Sequence, residues 1–473
     1  MSRVTRWVLL PLTAAVLSAC AVGPDYSRPK IDIPASFKEA KGWKAAEPQD
    51  HQPKGKWWEV FNDPQLNALE EQLVISNQNI ALAEAQYRQA QALLQGAQAG
   101  FYPDVTGSVS KTRASSGGGI SSNNSSKAVT SINTLSLNAS WEIDLWGKIR
   151  RSVESSKASL AASEADLEAA RLSAQSQLAI SYFQLYVADA EKAFLDDSVK
   201  AYLQFLDLTR NRLAAGVASP ADMAQAETLL KTAQVSALAK GVQRAQLEHA
   251  IAVLLGKAPA DFSLAKVEKV PVLPDIPAGV PSQLLERRPD IASAERRVAA
   301  ANAQIGVAKA AYFPDLTLSA TSGYASSSFA NWLTLPNRFW SVGPQLAMTL
   351  FDGGLLKSKT DQAIAVYDQS VATYRQTVLA GFQEVEDNLV ALRLLEDQAR
   401  LQNEVVKAAQ TSQKITENQY KAGTVSYLDV VTTQATTLAA QRNDFDILNQ
   451  RLTAAVTLIQ ALGGGWQAPP EKG

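Results

Sequence analysis

The sequence predicts a mixed α and β membrane protein made of two pseudo-symmetric repeats, each a β-hairpin set among long helices. Three observations carry that expectation. The first is a duplication. Asn79-Ile80-Ala81 returns as Asp290-Ile291-Ala292, and Phe101-Tyr102-Pro103-Asp104 as Tyr312-Phe313-Pro314-Asp315, both 211 residues further on. Ala215-Gly216-Val217-Ala218-Ser219 with Asp222 returns as Ala422-Gly423-Thr424-Val425-Ser426 with Asp429, now 207 residues on, and Leu255-Gly256 returns as Leu462-Gly463. The change of spacing falls between Pro103 and Gly147, where an insertion fits a loop; this is a long duplicated unit, not a short-period solenoid. The second observation is two stretches, 147–213 and 354–421, without proline and nearly without glycine. Each is long enough for a helix of about 67 residues, roughly 100 Å at 1.5 Å per residue. The third is a switch to a period of two in a pair of segments in each repeat.

Taken in order, residues 1–19 read as a lipoprotein signal peptide. Arg3 and Arg6 form a basic start, Trp7 to Leu17 an apolar run too short to span, and Leu17-Ser18-Ala19-Cys20 supplies small residues before a cysteine. Cys20 is the only cysteine among 473 residues, as suits an oxidising compartment. The expected mature chain begins there, with lipid on Cys20; Ala21 rather than Asp after it favours the outer membrane. Residues 20–61 form an extended, proline-rich segment closed by Trp57-Trp58-Glu59-Val60-Phe61.

Repeat 1 spans 62–261. Asp63-Pro64 is a helix start, with Asp as cap and Pro at the first position, and one helix is expected from Gln65 to Gly100. A hairpin of about 103–144 follows. In its second strand Leu135, Leu137, Ala139, Trp141 and Ile143 alternate with Ser136, Asn138, Ser140, Glu142 and Asp144, one oily face against one wet one. Ser115 to Ser126, almost all Ser, Gly and Asn, joins the strands as a loop. The long helix then ends at a turn of about 214–220, where Gly216 supplies a left-handed cap and Ser219-Pro220 starts a return helix. A linker, 262–283, leads to repeat 2 at 284–463: helix, hairpin about 314–351, long helix, turn about 421–426, return helix, then a tail at 464–473. Aromatic residues gather at the hairpin bases: Phe101, Tyr102, Trp141 and Trp146, then Tyr312, Phe313, Trp340 and Phe351.

A net charge of −1 gives no electrostatic case for nucleic acid. Beyond the leader no apolar run approaches the eighteen or so residues of a membrane helix, so any crossing is made by strands about ten residues long. Four strands cannot close a barrel, and an open edge in lipid leaves backbone groups unpaired at several kcal/mol each. Oligomerisation is therefore required. Two chains give eight strands with a filled interior; three give twelve and room for water. Catalysis is not expected: His51 and His249 are the only histidines, and no phosphate loop, nucleophile elbow or zinc motif is present. No cofactor and no metal are expected beyond the lipid on Cys20. The competing reading is a lipid-anchored structural or adhesive coiled-coil protein without a pore.

The chain resembles the outer-membrane factors of Gram-negative export systems, the TolC/OprM type in its lipoprotein branch. The residues that carry the resemblance are Cys20 with Val22-Gly23-Pro24-Asp25-Tyr26 and Pro29, Trp57 to Phe61 with Asp63-Pro64, and Trp141 to Lys148. With them stand Arg288-Pro289-Asp290-Ile291, Tyr312-Phe313-Pro314, Phe351-Asp352-Gly353-Gly354, and Tyr420 with Ala422-Gly423. The resemblance implies a homotrimer with a twelve-stranded transmembrane β-barrel, four strands per chain, continued by a long periplasmic α-helical barrel. It implies an exit duct for small molecules such as drugs, docked to a periplasmic adaptor and an inner-membrane pump of RND or ABC type. It also places a gate at the helix turns, with Asp222, Tyr420 and Asp429 as its residues and Gly216, Val217, Gly423 and Thr424 as adaptor-contacting positions. In that scheme Tyr420 bonds Asp222, and Asp429 forms a three-carboxylate ring favouring cations. Two departures are visible: Val425 stands where some relatives carry arginine, and Thr432 where many carry a further aspartate. Asp222 and Asp429 also read, more simply, as helix N-terminal acids favoured by the dipole.

Overall fold

The computed structural model describes residues 21–32, 34, 36–39, 56–115, 129–266 and 288–464. The signal peptide, Cys20, most of the Ser115–Ser126 loop, most of the linker and nearly all of the C-terminal tail lie outside them. Among the described residues are seven α-helices: α1 (Pro64–Ser76), α2 (Gln78–Ala99), α3 (Lys148–Ala214), α4 (Pro220–Leu254), α5 (Pro289–Ala310), α6 (Leu355–Lys421) and α7 (Tyr427–Ala461). Four strands accompany them: β1 (Asp104–Ser115), β2 (Val129–Ile143), β3 (Asp315–Ser326) and β4 (Arg338–Ala347). The duplication is exact in length for the helices: α2 and α5 have 22 residues each, α3 and α6 67, α4 and α7 35.

Two expectations need correction. The single helix from Gln65 to Gly100 is broken at Asn77, which is extended backbone between α1 and α2. Its buried side chain caps α2 by accepting from Asn79 N at 2.9 Å and Ile80 N at 3.0 Å, and its Nδ2 donates to Leu254 O at 2.7 Å. An amide that satisfies three backbone groups outweighs the one helical turn it interrupts. The last strand ends at Ala347, short of the hairpin end expected at about 351.

The compact units of the fold are not the repeats. Among the described residues, one unit is drawn from positions up to 30, 87–163 and 294–374, and the other from 31–86, 164–293 and 375 onward, so each repeat contributes to both.

The first unit holds the sheet, antiparallel throughout in the order β1-β2-β3-β4, which leaves β1 and β4 as open edges. Pro344, which cannot donate to a ladder, sits in the edge strand β4. Residues 22–28 run against the helices of this unit as a strap. Val22 N donates to Trp146 O at 3.0 Å, Arg151 pairs with Asp25 at 2.8 Å, and Tyr26 donates to Glu295 at 2.9 Å. A Cβ on Gly23, whose φ is +110°, would lie 2.5 Å from the Gly306 Cα, so two glycines make that crossing possible.

The second unit has its main core where α1, α3, α4, α6 and α7 converge, on Leu66, Leu73, Leu178, Tyr182, Leu255, Val385, Leu389 and Val456, with Trp57, Trp58 and Phe61 against it. Asp63 caps α1 through Gln65 N and Leu66 N, as the sequence suggested, and also accepts from the Tyr182 hydroxyl at 2.8 Å. A second core, on Leu195, Tyr202, Leu206, Leu230, Ala233, Tyr420, Tyr427, Val430 and Leu438, leads to the helix reversals.

Candidate functional site

Two features carry functional weight, one in each unit, and the sheet is the first. Directly opposed residues in an antiparallel sheet share a face, so the register sorts every side chain. One face carries Val105 and Val109, then Leu135, Leu137, Ala139, Trp141 and Ile143, then Leu316, Leu318 and Ala320, then Trp340, Val342 and Leu346. The other carries Thr106, Ser108 and Ser110, Ser136, Asn138 and Ser140, Thr317, Ser319 and Thr321, and Ser341 and Gln345. The polar face is hydrogen-bonded across strands: Ser108 to Ser136 at 2.8 Å, and Thr321 donating to Asn138 at 3.1 Å. The oily face is left uncovered, and so is much of the polar face. Val109 is 70% exposed, Leu137 59% and Val342 64%, while Ser136 is buried. A water-soluble sheet packed on its own helices has the opposite arrangement.

Aromatic side chains lie at both ends of that oily band. At the helix-joined end Trp141 Nε1 donates to Phe101 O at 3.0 Å, Trp146 Nε1 to Pro314 O at 2.9 Å, and Trp146 stacks on Phe313 at 4.8 Å. At the other end Trp332 Nε1 donates to Tyr324 O at 3.2 Å and its ring meets Phe329. Among the described residues no helix is long and apolar enough to cross a membrane, and no group of three or more His, Cys, Asp or Glu is placed to hold a metal.

The second feature is the pair of reversals α3–α4 and α6–α7. Both turns close the same way. Val217 N donates to Arg212 O at 2.8 Å and Thr424 N to Gln419 O at 3.0 Å, with Gly216 at φ +74° and Gly423 at φ +79°. Nothing lies within 4 Å of a Cβ at either glycine, so backbone handedness alone requires them. Gly216, Val217, Gly423 and Thr424 are all exposed.

Asp222 and Asp429 serve as helix caps within the chain. Asp222 Oδ2 accepts from Ser219 N at 2.8 Å while Ser219 Oγ accepts from Asp222 N at 3.1 Å. Asp429 Oδ2 accepts from Ser426 N at 3.0 Å and Ser426 Oγ at 2.6 Å. Tyr420 is buried and makes no hydrogen bond to Asp222 in the chain. Arg212 takes that place. Its guanidinium lies 4.4 Å over the Tyr420 ring and its Nη1 donates to Tyr420 O at 2.9 Å, joining the end of α3 to the end of α6. Tyr427 completes the cluster, its ring 5.4 Å from that of Tyr420. Burial pushes the Tyr427 hydroxyl up to about 12, against a hydrogen bond from Thr209, with Tyr420 and Asp222 adding to the rise. Val425 packs on this cluster, whereas Thr432 turns its hydroxyl back to Leu428 O at 2.8 Å.

Arg212 and Tyr427 were not singled out from the sequence. The 207-residue spacing that matches the turns pairs Arg212 with Gln419 and Tyr427 with Pro220, so neither has a counterpart in the other repeat. That break in the duplication, next to a matched turn, was the available signal.

Comparison with known proteins follows the same architecture. The sequence profile of the outer membrane efflux protein family matches residues 69–257 and 280–464. The chain is 30% identical to the probable efflux pump outer membrane protein TtgC of Pseudomonas putida, over 97% of this chain and 95% of that one. It is 31% identical to the pyoverdine export outer membrane protein OpmQ of Pseudomonas aeruginosa, over 96% and 95%. Among solved structures, the outer-membrane channel OprN superposes with a TM-score of 0.87 at 28% identity, covering 95% of this chain and 100% of that one. The structural neighbours are trimeric channels with a β-barrel and an α-helical barrel, and the chain has their fold.

Proposed function

Since this chain belongs to the outer membrane efflux protein family, we propose that it is the exit duct of a tripartite efflux pump. It is an outer-membrane protein. Three copies close a twelve-stranded barrel and pass small molecules such as drugs outward, working with a periplasmic adaptor and an inner-membrane pump of RND or ABC type. The observation that carries this reading is the sheet: its oily face is left uncovered by the chain's own helices, its other face is polar and hydrogen-bonded across strands, and among the described residues both edges are unpaired. Such a sheet is stable in hydrocarbon only when neighbours pair its edges. Twelve strands leave a water-filled lumen, which the Ser, Thr and Asn face suits.

The reversals form the gate. The Arg212–Tyr420 clasp ties the two helix hairpins of one chain, and the exposed Asp429, present once per copy, gives a three-carboxylate ring that favours cations. The exposed turns at Gly216, Val217, Gly423 and Thr424 are the adaptor contacts. Cys20 carries the lipid anchor: Ala21 already lies against Gly147 at the base of β2, so the anchor emerges beside the Trp146–Phe313 aromatic level. Cargo is set elsewhere, because a lining of hydroxyls and amides contacts every solute in the same way.

The reading is tested by crosslinking the full-length protein in membranes and recording purified protein in a planar bilayer. A carbonate-resistant trimer with stepwise, cation-favouring conductance is expected. A carbonate-extractable monomer with no conductance would instead establish the lipid-anchored coiled-coil protein without a pore.

A further inference from the structure

The charges on the sheet are sorted by face and by end. The only acidic residues in the four strands are Asp104, Glu142 and Asp315, all at the helix-joined ends and all on the polar face. Glu142 and Asp315 are matched there by Lys148, at 3.0 and 3.5 Å. The only basic residues in the strands are Lys111, Arg113 and Arg338, all at the opposite ends and all on the oily face. Arg338 shares a row with Tyr324, Leu135 and Val109; Lys111 stands one step beyond Val109, and Arg113 one step beyond that. All three are exposed, and none takes part in an ion pair or side-chain hydrogen bond with another described residue. The connection from Ser327 to Asn337 carries no charged residue, so no local carboxylate neutralises them.

This placement coincides with the end of the oily band. From the row of Leu316 to that of Tyr324 the strand advances roughly 27 Å, or about 21 Å along the barrel axis after the usual tilt. Lys111 and Arg113 lie one and two steps further still, so the three cations stand at the edge of a lipid-facing belt about 25 Å tall, at headgroup level on the leaflet remote from the helices. β1 and β4 are the sheet edges. When copies close a ring, β4 of one chain neighbours β1 of the next, so the strands that carry Arg338 and those that carry Lys111 and Arg113 become adjacent. Arg and Lys facing outward at that height, without counter-charge, match phosphate oxygens rather than acyl chains.

We propose that Lys111, Arg113 and Arg338 form a binding site for a phosphate-bearing lipid headgroup of the outer leaflet. The site rests on the barrel reading, so its test begins with wild-type protein shown to crosslink as a trimer and to conduct. Failure there removes the barrel reading; success there followed by failure below removes only the lipid site. The purified trimer is titrated with bisphosphorylated lipid A and, separately, with dephosphorylated lipid A, following bound lipid by native mass spectrometry. Wild type is expected to bind the bisphosphorylated form preferentially. A K111Q/R113Q/R338Q variant is expected to bind it at least roughly tenfold more weakly. A variant with three exposed helix lysines neutralised, K231Q/K407Q/K414Q, keeps full affinity and controls for net charge. Equal binding of both lipids by wild type, or equal loss in the two triple variants, would overturn the proposal. So would displacement of the lipid by millimolar inorganic phosphate, which would mark a simple anion site.

Discussion

Arg212 reaches from the last turn of α3 to the last turn of α6, its charge over one ring and its Nη1 on one carbonyl. A cation over an aromatic face contributes about 0.5–1 kcal/mol near solvent, and a hydrogen bond from a charged group about 1.5–3. Arg212→Ala removes both and is expected to raise single-channel conductance in planar bilayers. Tyr420→Phe keeps the ring and the carbonyl, so its conductance should stay close to wild type. The opposite pattern, with Tyr420→Phe opening the channel and Arg212→Ala silent, would return the latch to the Tyr420 hydroxyl. Another residue-scale case is Glu70 on α1. It is fully buried, neither carboxylate oxygen has a partner, and burial alone raises its pKa well above the usual value. Folded protein therefore holds a proton on Glu70 that unfolded protein releases above about pH 4.5. The sign follows: stability from this group is fully present below that pH and is lost as pH rises toward the folded value. Glu70→Gln, neutral at every pH, should match wild type in thermal midpoint near pH 5 and exceed it at pH 8. Parallel curves across that range would exclude a protonated Glu70.

At the scale of elements, capping and turn chemistry decide where long helices stop. Asn77→Ala strips α2 of its cap and leaves Leu254 O without its donor. A loss of about 1–2 kcal/mol is expected in denaturant unfolding. Gly423→Ala meets no steric neighbour, so its cost is only the left-handed backbone, about 1–2 kcal/mol. The same elements show what could be read from the residues and what could not. Matched turns at Gly216 and Gly423 located both reversals, because a left-handed cap needs glycine and a following Ser marks the next helix start. The Asn77 break was hidden because Asn within an Ala, Gln and Glu stretch reads as helix until its side chain finds Leu254 O, nearly 180 residues away. Asp222 and Asp429 were legible both as gate acids and as caps. The geometry supports the cap in each, since Ser219 N and Ser426 N hold the carboxylates. Arg212 escaped notice because its partner is a ring on the other long helix, a contact that sequence spacing does not encode. The compact units escaped for a related reason: α3 and α6 run uninterrupted through 163 and 374, where the units divide, so no composition change marks the boundary.

For the whole molecule the deciding question is what the oily face of the sheet meets. If it meets hydrocarbon, charge introduced at mid-band on that face should prevent insertion, while the same charge on the polar face should not. Leu137 and Ser319 make the comparison clean. Both lie in mid-strand, and the register assigns Leu137 to the oily face and Ser319 to the polar one. Leu137→Arg is expected to cost about 2–4 kcal/mol of insertion free energy, seen as loss of the heat-stable oligomer from outer-membrane fractions. Ser319→Arg places its guanidinium among hydroxyls in water, so the oligomer should form normally. Its three copies should lower cation conductance by repulsion within the lumen. A sheet packed against protein would behave otherwise, because both substitutions would then disturb a buried surface and both would reduce folded yield. The contrast between the two variants therefore measures which way the sheet faces, independently of how the gate at the helix reversals is held.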